Sequence, residues 1–300
     1  MQKAVIVLVA AAVLACASST VQVSDPSFDA VVAAPAFRGN GPRVLFDDAH
    51  NNFHRSDGRY APFVTLLRND GLTVTSNTAR FDRAALANHD LLVIANAEGE
   101  TPGAPAFTDE EIGAVVSWIE DGGSLLLVAD HSPFGRSASA LSERLGVTML
   151  DAHLKDEEHR DPAGPSPFFI LFTRENGLLA EHPITRGVER VVTFGGQALR
   201  IPADASPLLR LSPMAQIVRD RTQPSVSEPV GENAAHGVAL TRGRGRVVIM
   251  GEAAALTAQV ITGDAAKTAG VPELRIGMSR TDLDNKQFVL NVVRWLGRRL

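Results

Sequence analysis

Two stretches of this chain carry no polar residue on either face: Leu91-Leu-Val-Ile-Ala95 and Leu125-Leu-Leu-Val-Ala129. Strands of this kind need cover on both sides, which is the situation of parallel strands held between two helical layers. The segment between them supplies such a helix. Thr108-Asp109-Glu110-Glu111 has the form of a capping box, in which the Thr hydroxyl and the Glu carboxylate satisfy free amides at a helix start. Ile112, Val115, Val116 and Ile119 then fall on one face, and Gly122-Gly123 stops the helix. The same alternation is legible upstream. Arg43 to Phe46 reads as a strand, Tyr60 to Asn69 as a helix stopped at Asp70-Gly71, and Leu72 to Thr75 as a second strand. Strand, helix and strand at this spacing predict right-handed crossovers and an α/β fold with a mostly parallel sheet.

Beyond Gly146 the period loosens. Asp151 to Pro167 is charged and proline-bearing and reads as a solvated loop or lid. Val188 to Leu211 reads as short strands interrupted by Gly195-Gly196, and Arg242-Gly-Arg-Gly245 as a turn between Val238–Leu240 and Arg246–Met250. A helix from about Asn285 presents Phe288, Val292, Trp295 and Leu296 on one face.

The first residues pose a separate question. Met1-Gln-Lys3, an apolar run from Ala4 to Leu14, and the small residues Ala15 to Ser18 have the layout of a secretory signal. That run is well short of the roughly 20 residues that span a bilayer. Val13-Leu-Ala-Cys16 resembles a lipobox, with Cys16 as the lipidated residue, while Ala15-Cys-Ala17 also fits ordinary signal-peptidase cleavage. Cys16 is the one cysteine in 300 residues, so an exported domain would be using no disulfides and keeping its thiol where a lipoprotein needs it. These readings give a signal peptide over 1–16, a Ser/Ala/Pro-rich tether over 17–40, and one α/β domain over 41–300. The expected location is the periplasmic or cell-surface face of a bacterial membrane, with the membrane as partner through a lipid anchor. A net charge of −5 without a basic stripe argues against nucleic acid.

In open parallel sheets, ligands settle outside the carboxyl ends of the strands. Extending each expected strand to its end gives Asp47, Asp48, His50, Asn51, Asn52 and His54 on the first loop, then Glu98, then Asp130 and His131, and finally Glu252. Asp130, His131, Glu252 and Glu98 are the candidate catalytic residues. Asp48, Asn51 and Asn52 are candidate ligand-binding residues. His50, His54, His131 and Asp130 form a candidate first shell for a divalent metal. The same groups serve as acid and base, or as plain hydrogen-bonding partners. Taken singly, a strand-end Asp is usually a turn former. His153, Glu157, Glu158 and His159 read as a solvated face, and Arg242 to Arg246 as a hairpin rather than an anion site. P-loop, complete GxGxxG and GxSxG motifs are absent from the sequence.

The opening strand with its polar loop, His182-Pro-Ile-Thr-Arg-Gly-Val188, Gly245-Arg-Val-Val-Ile-Met-Gly-Glu252 and the terminal Asn285 to Leu296 segment together resemble the class I glutamine amidotransferase-like superfamily. The likeness is to its non-amidotransferase branches, in exported bacterial proteins and in the amino-terminal domain of an intraflagellar-transport protein. It implies a flavodoxin-like three-layer sandwich. It does not carry glutaminase activity with it, because Asp130-His131 stands near where the nucleophilic cysteine would be and the mature chain has no thiol to replace it. Two functions remain open at this level. One is binding, with hydrolysis, of a small polar or carbohydrate ligand at the His/Asp-rich sheet edge; the other is a non-catalytic binding or scaffolding lipoprotein of the envelope.

Overall fold

The computed structural model describes residues 20–300, so the leader and Cys16 lie outside the described residues. The core is a nine-stranded sheet. Five of its strands run parallel, in the order Thr73–Asn77, Arg43–Asp47, Leu91–Ala95, Ser124–Val128 and Gly245–Met250. Alternation along these strands builds two apolar faces. Val44, Phe46, Val93, Leu126, Val248 and Met250 meet the helices Ala61–Asn69 and Asn285–Leu296 on one side. Leu45, Leu92, Ile94, Leu125, Leu127 and Ile249 meet Asp109–Glu120 and Phe134–Arg144 on the other. Each such side chain, fully buried, is worth about 1.5–3 kcal/mol, so this two-sided burial holds the sheet.

The second half of the chain does not continue the crossovers, and the expectation of a mostly parallel, flavodoxin-like three-layer sandwich is corrected here. Of the thirteen strand pairings among the described residues, nine are antiparallel, and they are spread over four sheets. Gly245–Met250 is the hinge of this change: it pairs parallel with Ser124–Val128 on one edge and antiparallel with Ala234–Arg242 on the other. A buried apolar run reads the same in either setting, so the sequence pattern could not separate them. The turn between those two strands is Gly243-Arg244, with Arg242 tied to the Leu145 carbonyl and Arg244 to that of Asp121.

Residues 20–40 are packed rather than free, which corrects the tether. Val21–Ser24 pairs with Ala258–Thr262, the buried Asp25 accepts from Arg275 at 2.7 Å, and Phe37 is buried in the main core. The 151–167 stretch is a solvated loop only in part, with Glu157, Glu158, Arg160, Pro162 and Ala163 exposed. His153–Lys155 is a strand paired with Gln216–Val218, and Asp156 and Asp161 are buried against Ser212 and Arg280. The His182 to Val188 phrase is a structural device: His182 caps the short turn Pro183–Thr185, and Asn291 of the last helix binds the carbonyls of Ile184 and Arg186. No helix among the described residues is long and apolar enough to cross a membrane.

Candidate functional site

A cavity of about 540 Å³ opens where three of the parallel strands end, walled by Asn96, Asp130 and Glu252. Asn96 directly follows Leu91–Ala95 and takes a left-handed turn, φ 48°, which Asn tolerates better than other side chains. There its carboxamide oxygen accepts from the Asp130 amide at 2.9 Å. Asp130 is further fixed by Gln197, whose amide nitrogen donates to the carbonyls of Ala129 and Asp130. Glu252 comes from a tight approach. A Cβ on Gly251 would lie 2.2 Å from the Gln197 carbonyl, so only glycine lets the strand end close on that segment.

The two carboxyl groups feel one another. Burial, and then the charge of Asp130, raise the pKa of Glu252 to about 8, outweighing the amides of Ala254 and Ala255 that donate to it at 2.7 and 2.8 Å. Burial likewise raises Asp130, against the opposing pull of His131 and Asn96. At neutral pH the pair therefore holds a proton. The Asn96 amide nitrogen faces the Asp130 carboxyl closely enough to favour its charge but closes no hydrogen bond.

Imidazoles complete the wall. His54 is 3 % exposed, lies 5.0 Å from the Tyr60 ring and has no partner for Nδ1. Burial, then the Arg59 charge, lower its pKa to about 3, so it is neutral. His131 donates from Nδ1 to the Ser132 carbonyl at 2.8 Å, leaving Nε2 to act. Its ring lies 4.0 Å from that of His153, whose buried Nδ1 is unpartnered and whose pKa burial and His131 lower to about 3. Arg59 over Phe53, and Arg221 near Phe168, also reach the cavity, as do Pro165 and Ser166.

The structure thus divides the residues expected at this edge. His54, Asp130, His131 and Glu252 line the cavity; His50, Asp48, Asn51, Asn52 and Glu98 do not. His50 is clamped between carboxylates, Nδ1 on Asp47 at 2.9 Å and Nε2 on Glu111 at 2.8 Å, with Phe81 and Phe107 against its ring. Burial opposes its charge, but Asp47 and then Glu111 outweigh it and raise the pKa. Both nitrogens are spent, so His50 is no metal ligand. Asn52 binds Asp47, Asn51 binds the Gly99 carbonyl, and Asp48 accepts from Ser56 and Ser76. These are loop-building contacts. Among the described residues no three His, Cys, Asp or Glu side chains come together to hold a metal ion, which breaks up the candidate first shell of His50, His54, His131 and Asp130. Asn96, Arg59 and Arg221 were not singled out for the site from the sequence, and His153, read as part of a solvated face, packs against His131 instead. Asn96 had a signal, being the first polar residue after its strand; Arg221 had none.

The model of one sequence family, described as Domain of unknown function (DUF4350), matches residues 54–261. No curated protein matches the chain in sequence. Among solved structures, one titled mmIFT52 N-terminal domain is similar at a TM-score of 0.59 and 13% identity, over 85% of this chain and 97% of that one. The cytoplasmic protein STM1381 from Salmonella typhimurium LT2 matches at a TM-score of 0.49 and 14% identity, over 85% and 99% of the two chains. A putative thua-like protein from Bacteroides uniformis matches at 0.44 and 12%, over 88% and 93%. The first likeness bears on fold alone and the other two carry no argument. The expected assignment to an amidotransferase-like branch within an exported lipoprotein is corrected to the DUF4350 family by the family match; its lipoprotein part falls on the leader and Cys16, outside the described residues. The expected envelope location rests on the leader and Cys16, which lie outside the described residues, and is not carried further.

Proposed function

The chain belongs to the DUF4350 family, and from that premise, which brings no activity with it, we propose that the protein binds a small polar ligand of carbohydrate type in the cavity at the strand ends. The observation that carries this reading is the polar lining of the cavity, the Asp130 carboxyl with His54, His131 and Asn96, in which His54 Nδ1 and Asn96 Nδ2 are buried without a partner. A buried polar atom without a partner costs about 1–3 kcal/mol, and such atoms in a native wall call for a ligand or ordered water. A sugar hydroxyl suits them, because it donates to a neutral imidazole or a carboxylate and accepts from an amide. The Phe134 and Phe169 rings in the same wall offer apolar faces to the C–H side of such a ring.

The coupled carboxyls favour a second reading, glycosidic hydrolysis. Glu252, its pKa raised to about 8, has the state of a general acid at pH 7, with Asp130 as the second carboxyl of the pair. Calorimetric titration with neutral and acidic mono- and disaccharides separates the two. Binding that weakens at least tenfold in Asp130→Asn, without release of reducing sugar, supports a binding protein. Release that disappears in Glu252→Gln supports the hydrolase. Wild-type protein that binds none of the sugars overturns both.

A further inference from the structure

Several cations among the described residues are paired with carboxylates. Arg43, Arg275, Arg280 and Arg294, for instance, are each bonded to Asp carboxylates. Arg59 and Arg221 are different. Both line the cavity, and their guanidinium groups are met by ring faces: Arg59 lies 4.7 Å from the centroid of Phe53, and Arg221 4.9 Å from that of Phe168. No carboxylate forms a salt bridge with either. A guanidinium stacked on a ring keeps its in-plane N–H fork free, and that fork matches carboxylate and phosphate oxygens two at a time. We propose that Arg59 and Arg221 form an anion subsite in this cavity, so that its ligand is an acidic sugar carrying one carboxylate or phosphate group; this rests on the carbohydrate reading above.

The charge balance of the wall agrees. Its titratable side chains are Arg59, Arg221, Asp130, Glu252, His54 and His131. With His54 neutral and one proton on the carboxyl pair, the two guanidiniums leave an excess of positive charge that an anionic group offsets. Their fields also reach into the cavity from two sides, Arg59 acting on His54 and Arg221 on Asp130 and His153. Arg59 is half-buried, and burial disfavours its charge. A bound anion offsets that cost where the protein provides no counter-charge.

The test is calorimetric titration of the full chain in about 0.1 M salt, where exposed charges are already screened beyond roughly 10 Å. The probes are glucuronate, glucose 6-phosphate, glucose and inorganic phosphate, applied to wild type, Arg59→Gln, Arg221→Gln and the double variant, with urea unfolding confirming that each is folded. Wild type is expected to bind one of the two acids at least tenfold more tightly than glucose, and which acid wins tells carboxylate from phosphate. Each single variant should shrink that advantage, and the double variant should erase it. Glucose binding as tightly as both acids, or an advantage that survives in the double variant, overturns the anion subsite while leaving the carbohydrate reading standing. Arginine-dependent binding of inorganic phosphate without binding of any sugar supports the subsite and sinks the carbohydrate reading. Silence from all four probes overturns both.

Discussion

Two clusters of acids and imidazoles stand at the same edge of the sheet and are built to opposite ends. In the Asp47–His50–Glu111 cluster every imidazole nitrogen has a carboxylate, and Asn52 and Asn77 fill further positions on Asp47. In the Asp130–Glu252–His54 cluster two carboxyls crowd one another, His54 Nδ1 has no partner, and both acids are pushed away from their ordinary range. The first spends its polar capacity on holding two loops and a helix start together. The second, although Glu252 accepts the amides of Ala254 and Ala255, leaves part of its capacity unspent around a cavity. Residue type does not distinguish a structural from a functional polar cluster; the fraction of its hydrogen-bonding capacity already used does.

The largest expected effect comes from breaking the satisfied cluster. His50→Ala leaves Asp47 and Glu111 facing an unfilled space without their cation, and should cost about 3–5 kcal/mol in urea unfolding. By contrast Asp130→Asn, which removes one of two crowded acids, should raise stability by about 0.5–2 kcal/mol. Equal losses in the two variants would erase the distinction drawn here.

The pH dependence sharpens the contrast. The raised pKa of His50 contributes stability in full below its unfolded value near 6.5, and this is lost as pH climbs through the folded value. Glu111, with a lowered pKa, contributes above its unfolded value near 4.5 and loses it as pH falls. Glu252 behaves oppositely to an ordinary carboxylate. Its folded pKa of about 8 exceeds the unfolded 4.5, so the folded chain holds an extra proton between them and stability declines across that interval as pH rises. Unfolding of wild type and Glu252→Gln at pH 5, 7 and 9 should show the variant free of that part of the decline. His54, neutral when folded down to about pH 3, adds a loss of stability as pH drops below 6.5.

The smallest effect belongs to a residue that the strand-end rule put at the site and the fold does not. Glu98 is half-buried, its amide donates to the His50 carbonyl, and it stands off the cavity. Glu98→Gln should alter stability by less than about 0.5 kcal/mol and leave sugar titrations unchanged; a weakened titration would return it to the site.

How far the sequence leads can be seen residue by residue. The capping box at Thr108, the apolar stripe from Ile112 and the terminal helix from Asn285 are local patterns, and they lie where their spacing puts them. The strand-end rule found Asp130, His131 and Glu252 because adjacent parallel strands finish together. It failed with His50 because the deciding partner, Glu111, sits 61 residues away on a helix start and was already read as half of a capping box. It missed Arg221 in the cavity wall, and His153 against the His131 ring, because they come from antiparallel segments whose pairing no periodicity announces. The mixed character of the sheet was hidden for the same reason.

The strand Val21–Ser24 has a last consequence. Thr20 and Gln22 belong to the cavity wall, and the strand lies on Ala258–Thr262, so the wall is stitched from stretches more than two hundred residues apart along the chain. A ligand touching that wall recognises only the stitched arrangement. By mass action, an occupant at a hundred times its dissociation constant holds the arrangement closed by about 2.7 kcal/mol. The amides of Val21 to Ser24 are therefore a built-in occupancy gauge, their exchange with solvent slowing as the cavity fills.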